Sequence, residues 1–217
     1  MGVAFFDMDG TIVGGDTNDL SIGHFVKLGL ADESIIKSLK IYGQMFFQGT
    51  LDINEFVKFA VKPLVGMPKD KLNEILSSTV RDKIIPVVKP GALRQIDFHN
   101  KRGDRIVIVT STMDYLVEHV AKQLNIYDYI AAPMEKIDGV LSGAQCGIVP
   151  FQQDKVTRIN TFLKDNNLSL EDSYAYGDTI NDLPMINMCQ HKFAVDPNEV
   201  LLKSEDIKEL EIVDWTK

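Results

Sequence analysis

Three short apolar runs, each passing directly into polar residues of the kind that do chemistry, restrict this chain to one class of architecture. Val3 to Phe6 runs into Asp7-Met8-Asp9-Gly10-Thr11, Val107 to Val109 into Thr110-Ser111, and Tyr174-Ala175-Tyr176 into Gly177-Asp178. A short continuous apolar run reads as a strand buried on both faces, which belongs in a parallel sheet. Reactive residues at the ends of several such strands gather in one crevice of a doubly wound sheet. The intervening segments read as helices. Met113, Leu116, Val117, Val120, Ala121 and Leu124 line one helical face, and Gly91 to Arg102 is closed by Gly103 as a C-cap. The expectation is an α/β fold built on a doubly wound parallel sheet.

Residues 16–88 interrupt the alternation with no strand pattern. Helices are predicted at Thr17 to Leu28, Glu33 to Phe47, Asp52 to Leu64 and Lys69 to Arg81, punctuated by Gly29, Gly49, Gly66 and Pro68. The chain therefore divides into a core, 1–15 and 89–217, and a helical cap, 16–88, hinged at Gly14-Gly15. A helical insert directly after the first strand suits a lid that excludes water and selects substrate. A small hairpin is expected from Val140-Leu141 and Ile148-Val149 around Ser142-Gly143-Ala144.

With 217 residues, 45% of them hydrophobic, the chain has material for one full core and a smaller insert. Its formal net charge of −8 and the absence of a basic stripe argue against nucleic acid and anionic membrane as partners. No run approaches a membrane span, and no basic segment precedes an apolar stretch at the N-terminus, so a cytoplasmic location is expected. Cys146 and Cys189 lack the spacing of a zinc or redox motif and read as structural. His24, His99, His119 and His191 show no metal-ligand spacing, and Trp215 reads as packing for the C-terminal segment. The sequence carries no marker of an oligomeric state.

The residues at the strand ends make a coherent chemical set. Asp7 is the candidate nucleophile for a phosphate monoester, since a covalent acyl phosphate divides one difficult step into two. Asp9, two residues on, is the candidate general acid and base. Asp7, the Asp9 backbone carbonyl and Asp178 would suffice for Mg²⁺, with Asp182 setting the outer shell. Thr110, Ser111, Asn181 and Lys155 are candidates for holding the nonbridging oxygens and offsetting their charge. Lys164 and Lys136 are rivals for the role of Lys155.

Taken in order, Asp7-Met8-Asp9-Gly10-Thr11, Thr110, Lys155 and Gly177-Asp178-Thr179-Ile180-Asn181-Asp182 resemble the four motifs of the haloacid-dehalogenase-type phosphatases, in the branch that contains phosphoserine phosphatases. The resemblance implies a Rossmann-like core, a helical cap between the first two motifs, and Mg²⁺ as cofactor. In that branch a glutamate nine residues after the nucleophile binds the substrate amine, and a cap arginine binds its carboxylate. Here the first place holds Asp16. Around the second, Val57 to Pro63 offers Lys58 and Lys62, with Ala60 aligned at the arginine. A lysine is not an equivalent bidentate clamp.

An anion without its cationic partner suits a phosphorylated amino alcohol such as histidinol phosphate. A phosphoserine phosphatase, with Lys58 or Lys62 in place of the arginine, stays open as an alternative. So do a phosphotransferase or phosphomutase and a non-catalytic phosphate-binding protein of the same fold, and a purely helix-capping role for Asp16. Met45, Phe46, Phe47, Phe56 and Phe59 are expected to form cap core rather than substrate contacts.

Overall fold

The computed structural model describes residues 2–47 and 50–217, without the side chain of Phe47. Strand β1 (Val3–Phe6) is followed by four helices, α1 (Thr17–Lys27), α2 (Ser34–Phe47), α3 (Ile53–Val61) and α4 (Lys69–Thr79). Then come α5 (Pro90–Arg102), β2 (Arg105–Met113), α6 (Asp114–Gln123), β3 (Asp128–Ala132), and a hairpin of β4 (Met134–Ile137) and β5 (Val140–Gln145). The chain finishes with α7 (Gln153–Asp165), β6 (Tyr174–Gly177), α8 (Leu183–Met188), β7 (His191–Val195), α9 (Glu199–Leu202) and β8 (Glu211–Val213).

Six strands pair in parallel in the order β3-β2-β1-β6-β7-β8. The direction of winding reverses at β1, so the ends of β1 and β6 flank the switch point where ligands of such sheets bind. Period-2 alternation assigns each strand residue to one of two cores. Ala4, Phe6, Ile108, Tyr174 and Tyr176 pack on one face, while Val3, Phe5, Val107, Val109 and Ala175 pack on the other. On the first face Tyr176 stacks on Phe6 with ring centroids 4.5 Å apart, and Trp215 lies 5.2 Å from Tyr176. A Cβ on Gly91 would stand 2.4 Å from Trp215, so only glycine lets the C-terminal segment seal against α5.

The segment between β1 and β2 is helical, and the helix limits follow the punctuation. Asp16 caps α1, accepting from the N–H groups of Asn18 and Asp19, and Asp52 caps α3 in the same way. Pro63 converts the end of the third predicted helix into a 3₁₀ turn, Lys62–Leu64. The fourth continues past Thr79 as a π turn, Val80–Ile84, and a 3₁₀ turn, Ile85–Val87. The chain leaves and re-enters the sheet side by side: Gly14 N–H donates to Val87 C=O at 2.8 Å, and Lys89 N–H to Ile12 C=O at 2.9 Å. Gly49, one of the expected punctuation points, lies outside the described residues.

Two local expectations are corrected. The hairpin turns at Asp138-Gly139 rather than at Ser142–Ala144, and Ile148-Val149 is not a strand. Both turn residues have positive φ, 51° and 81°, as a two-residue hairpin requires, and Asp-Gly accepts that conformation. Strand β2 continues through Thr110, Ser111 and Thr112 to Met113, which therefore belongs to the strand and not to α6; its pairing with β3 is irregular between Val109 and Met113. Among the described residues no helix is long and apolar enough to cross a membrane.

Candidate active site

Strand β1 delivers Asp7 at its C-terminal end, where the Asp7 N–H donates to Tyr176 C=O at 2.9 Å and continues the sheet. Lys155, in the first turn of α7, reaches the same point. Its ammonium donates to Asp7 Oδ1 and Asp182 Oδ1, both at 2.6 Å, and to Val109 C=O at 3.1 Å. Lys164 and Lys136 do not line this crevice. Asp182 is fixed by the 3₁₀ turn it closes, Ile180–Asp182: its Oδ2 accepts from Thr179 N–H at 3.0 Å and from the Thr179 hydroxyl at 2.9 Å, a reciprocal cap.

Asp178 follows β6 and lies against the loop after β1. A Cβ on Gly10, whose φ is +82°, would stand 2.1 Å from Asp178 Oδ2, so the motif needs glycine there for two separate reasons. The Thr11 hydroxyl donates to Asp178 Oδ1 at 3.3 Å. Asp7, Asp178 and Asp182 each present a carboxylate oxygen within 4.8 Å of the others. An all-oxygen, anionic set of this kind suits a hard divalent cation such as Mg²⁺. Both Asp182 oxygens are already hydrogen-bonded, which leaves Asp7 and Asp178 as the freer carboxylates.

The electrostatics follow from burial. The Asp7 carboxyl is pushed up to about 8 by burial and then by Asp182, against the opposing pull of Lys155. Asp178 is raised by burial, Asp182 and Asp7. Burial alone would lower Lys155, but Asp182 and Asp7 beside it hold its pKa above the ordinary lysine value.

Asp9 points into the same cavity and is held at both oxygens. The first N–H of α1, from Thr17, donates to Oδ1 at 2.6 Å, and the Thr112 hydroxyl donates to Oδ2 at 2.7 Å. Its carboxyl is pushed up to about 7, by burial first and by Asp16 second, with the two threonines opposing. Thr110 is buried on the cavity wall, its hydroxyl accepting from Thr112 N–H at 3.1 Å, and Ser111 lines the cavity beside it. Asn181 lines it from the far side, with Oδ1 accepting from Gln152 Nε2 at 2.9 Å.

The cavity, about 250 Å³, extends from these residues up to the helical insert. Its upper wall carries Asp16, Asn18 and Asp19 on α1 and its cap, Lys40, Tyr42 and Phe46 on α2, Phe56 on α3, and Phe151 ahead of α7. Phe56 packs against the core as expected and also lines the cavity, whereas Phe46 is cavity wall, which corrects its assignment to cap core. Phe59 is buried, with its ring 4.9 Å from Tyr42, and the Phe47 side chain lies outside the described residues. Lys58, Ala60 and Lys62 are not on the cavity wall, whereas Lys40 is.

Sequence reading missed Thr17, Thr112, Lys89 and Gln152. Thr112 carried a signal, since it shares a strand face with Thr110. Lys89 is buried with its ammonium on Gly10 C=O and 2.8 Å from Asp196 Oδ2, a pairing across the fold that no local pattern announces.

Residues 4–187 match the family model of the haloacid dehalogenase-like hydrolases. A histidinol-phosphatase from Neisseria meningitidis serogroup C is 29% identical over 207 residues, covering 93% of each chain. A phosphoserine phosphatase from Streptococcus thermophilus is 28% identical over 186 residues, 85% of this chain and 79% of that one. Among solved structures, a protein of unknown function from Bordetella pertussis Tohama I superposes with a TM-score of 0.88 at 25% identity, covering 98% of both chains. A phosphoserine phosphatase solved as a phospho-aspartyl intermediate analogue gives 0.69 at 22% identity, covering 100% of this chain and 93% of that one. The chain belongs to the haloacid dehalogenase-like hydrolase family, among its phosphatases.

Proposed function

We propose that the protein is a Mg²⁺-dependent phosphomonoester hydrolase that works through an aspartyl-phosphate on Asp7 and acts on a small phosphorylated amino alcohol, histidinol phosphate being the first candidate. The observation that carries the reaction is the Lys155 ammonium bridging Asp7 and Asp182 at the end of β1, with Asp178 alongside. Asp7 and Asp178, with the Asp9 carbonyl, would hold Mg²⁺, and Asp182 would steady Lys155 behind them. Mg²⁺ bound there supplies a Lewis acid that neutralises phosphoryl charge and keeps Asp7 ionised.

In the first step an Asp7 oxygen attacks phosphorus, the ester P–O bond breaks, and Asp9 gives its proton to the departing alkoxide. In the second, Asp9 takes a proton from water as the water oxygen attacks phosphorus, and the bond to Asp7 breaks to release phosphate. Thr110, Ser111, Asn181 and Lys155 orient the nonbridging oxygens throughout. A carboxyl poised near neutrality serves both duties of Asp9.

The upper wall supports the substrate class. Asp16 and Asp19 supply negative charge, and Tyr42, Phe46, Phe56 and Phe151 supply apolar and π surface, a combination that favours an organic cation. The relative named histidinol-phosphatase is consistent with this. Lys40 favours a second reading, a substrate that also carries a carboxylate, such as phosphoserine.

Phosphate release from L-histidinol phosphate, L-phosphoserine, phosphoethanolamine, phosphocholine and sugar phosphates, with Mg²⁺ and with EDTA, tests the proposal. Preference for an amine without a carboxylate supports it, preference for phosphoserine moves the assignment to the Lys40 reading, and no Mg²⁺-dependent release from any member rejects the hydrolase.

A further inference from the structure

The backbone of Gln152 stands at φ 49° and ψ −122°, the mirror image of an ordinary extended conformation, which crowds any Cβ and suits glycine. Five of the six non-glycine residues with positive φ among those described are Asn or Asp, whose short side chains tolerate such values; Gln152 is the exception. It lies three residues before Lys155 and next to Phe151 of the cavity wall, where retained strain marks a functional constraint.

Among the described residues the side chain of Gln152 makes one hydrogen bond: Nε2 donates to Asn181 Oδ1 at 2.9 Å. That bond has a direction with chemical consequences. An asparagine amide has one accepting oxygen and one donating NH₂. With the oxygen engaged by Gln152, the NH₂ is the group left for the cavity, and phosphoryl oxygens can only accept. The reverse arrangement would aim a carbonyl oxygen at an anion. We propose that Gln152 is a positioning residue for phosphate recognition, holding Asn181 with its NH₂ towards the phosphoryl oxygens, and that its strained backbone is retained for this purpose. The inference rests on the reading of this crevice as a phosphate site.

Binding of inorganic phosphate in the presence of Mg²⁺, followed by titration calorimetry, together with thermal denaturation, tests it in four proteins. Gln152→Ala should weaken phosphate about 5- to 10-fold, as for loss of one hydrogen-bonded orientation, with little change in Tm. Gln152→Gly should weaken it equally while raising Tm by about 2 to 4 °C, because glycine relieves the strain. Gln152→Glu should be weakest, since a carboxylate accepts from the Asn181 NH₂ and reverses the amide. In an Asn181→Ala background Gln152→Ala should add no further loss. A role confined to stability would not weaken binding while raising Tm. Phosphate affinity unchanged in Gln152→Ala, or a lower Tm in Gln152→Gly, overturns the inference alone; a wild-type protein that binds no phosphate with Mg²⁺ overturns the phosphate site and this inference with it.

Discussion

The ammonium of Lys155 and the carboxyl of Asp7 are 2.6 Å apart and both buried, so the attraction between them opposes the cost of burying each charge. Asp182 accepts from the same ammonium at the same distance. Removing the cation while keeping the volume, Lys155→Met, leaves two buried carboxylates facing one another. The expected result is a loss of about 3 to 5 kcal/mol in stability and of at least about 100-fold in kcat. Urea unfolding with and without Mg²⁺ checks the cause: the stability deficit should shrink when Mg²⁺ is added, and a deficit indifferent to Mg²⁺ would point to packing instead.

Thr112 donates to Asp9 Oδ2 at 2.7 Å and lies 3.3 Å from the Thr17 hydroxyl, so the carboxyl is clamped between β2 and the start of α1. Thr112→Val keeps the shape and removes the donor. We expect kcat to fall about 5- to 10-fold, the worth of one hydrogen bond to a charged or polar partner, with KM nearly unchanged, because Asp9 would move a proton and would not bind the ground state. Steady-state kinetics would decide; a rise in KM with kcat intact would contradict the acid–base assignment.

The parallel strands carrying the site were legible because burial on both faces writes itself as an uninterrupted apolar run, as in Val3–Phe6, and because the polar residues sit directly after it. Helix starts were legible where a side chain caps them, at Asp16 and Asp52. Strands β3 and β7 were not, since Asp128–Ala132 and His191–Val195 begin with polar residues and continue in short apolar stretches that read as neither period. The full length of β2 escaped for a related reason: Thr110, Ser111 and Thr112 look like a loop, and they sit where the pairing with β3 is irregular before it resumes at Met113. Within the site, the carboxylates and Lys155 could be named from motif spacing, whereas Lys89 and Gln152 owe their positions to partners 79 and 29 residues away.

At the opposite end of the strands, just before β2, burial would raise the Asp104 carboxyl, but it accepts from the His99 ring at 2.9 Å, Arg102 Nε at 2.8 Å and the Gly2 N–H at 2.8 Å, and these hold it at about 2. A carboxyl depressed in the fold contributes stability that is complete above its unfolded value, near 4, and disappears as pH falls towards the folded value. Asp104→Asn should therefore cost about 1 to 2 kcal/mol at pH 7, allowing for solvent screening at the partly exposed Arg102, and the cost should shrink between about pH 4 and pH 2. Paired urea titrations across that window measure it; a difference that stays constant down to pH 2 would rule out the charge as its source.

Asp16 has two possible duties, and two substitutions separate them. Its Oδ1 accepts from Asn18 N–H at 2.7 Å and Asp19 N–H at 3.1 Å, which caps α1, while the residue also forms part of the cavity wall. Asparagine caps a helix about as well as aspartate but carries no charge, and alanine does neither. If Asp16 selects an ammonium group, Asp16→Asn should raise KM for L-histidinol phosphate about 10-fold or more, as expected for a lost charge-assisted contact, leave a neutral sugar phosphate unaffected, and keep Tm near wild type. Asp16→Ala should show the same KM effect together with a loss of about 1 kcal/mol in stability. Equal losses on charged and neutral substrates in Asp16→Asn would remove the amine-binding role and leave Asp16 as a helix cap, with Asp19 then the remaining carboxylate on that wall to test in the same way.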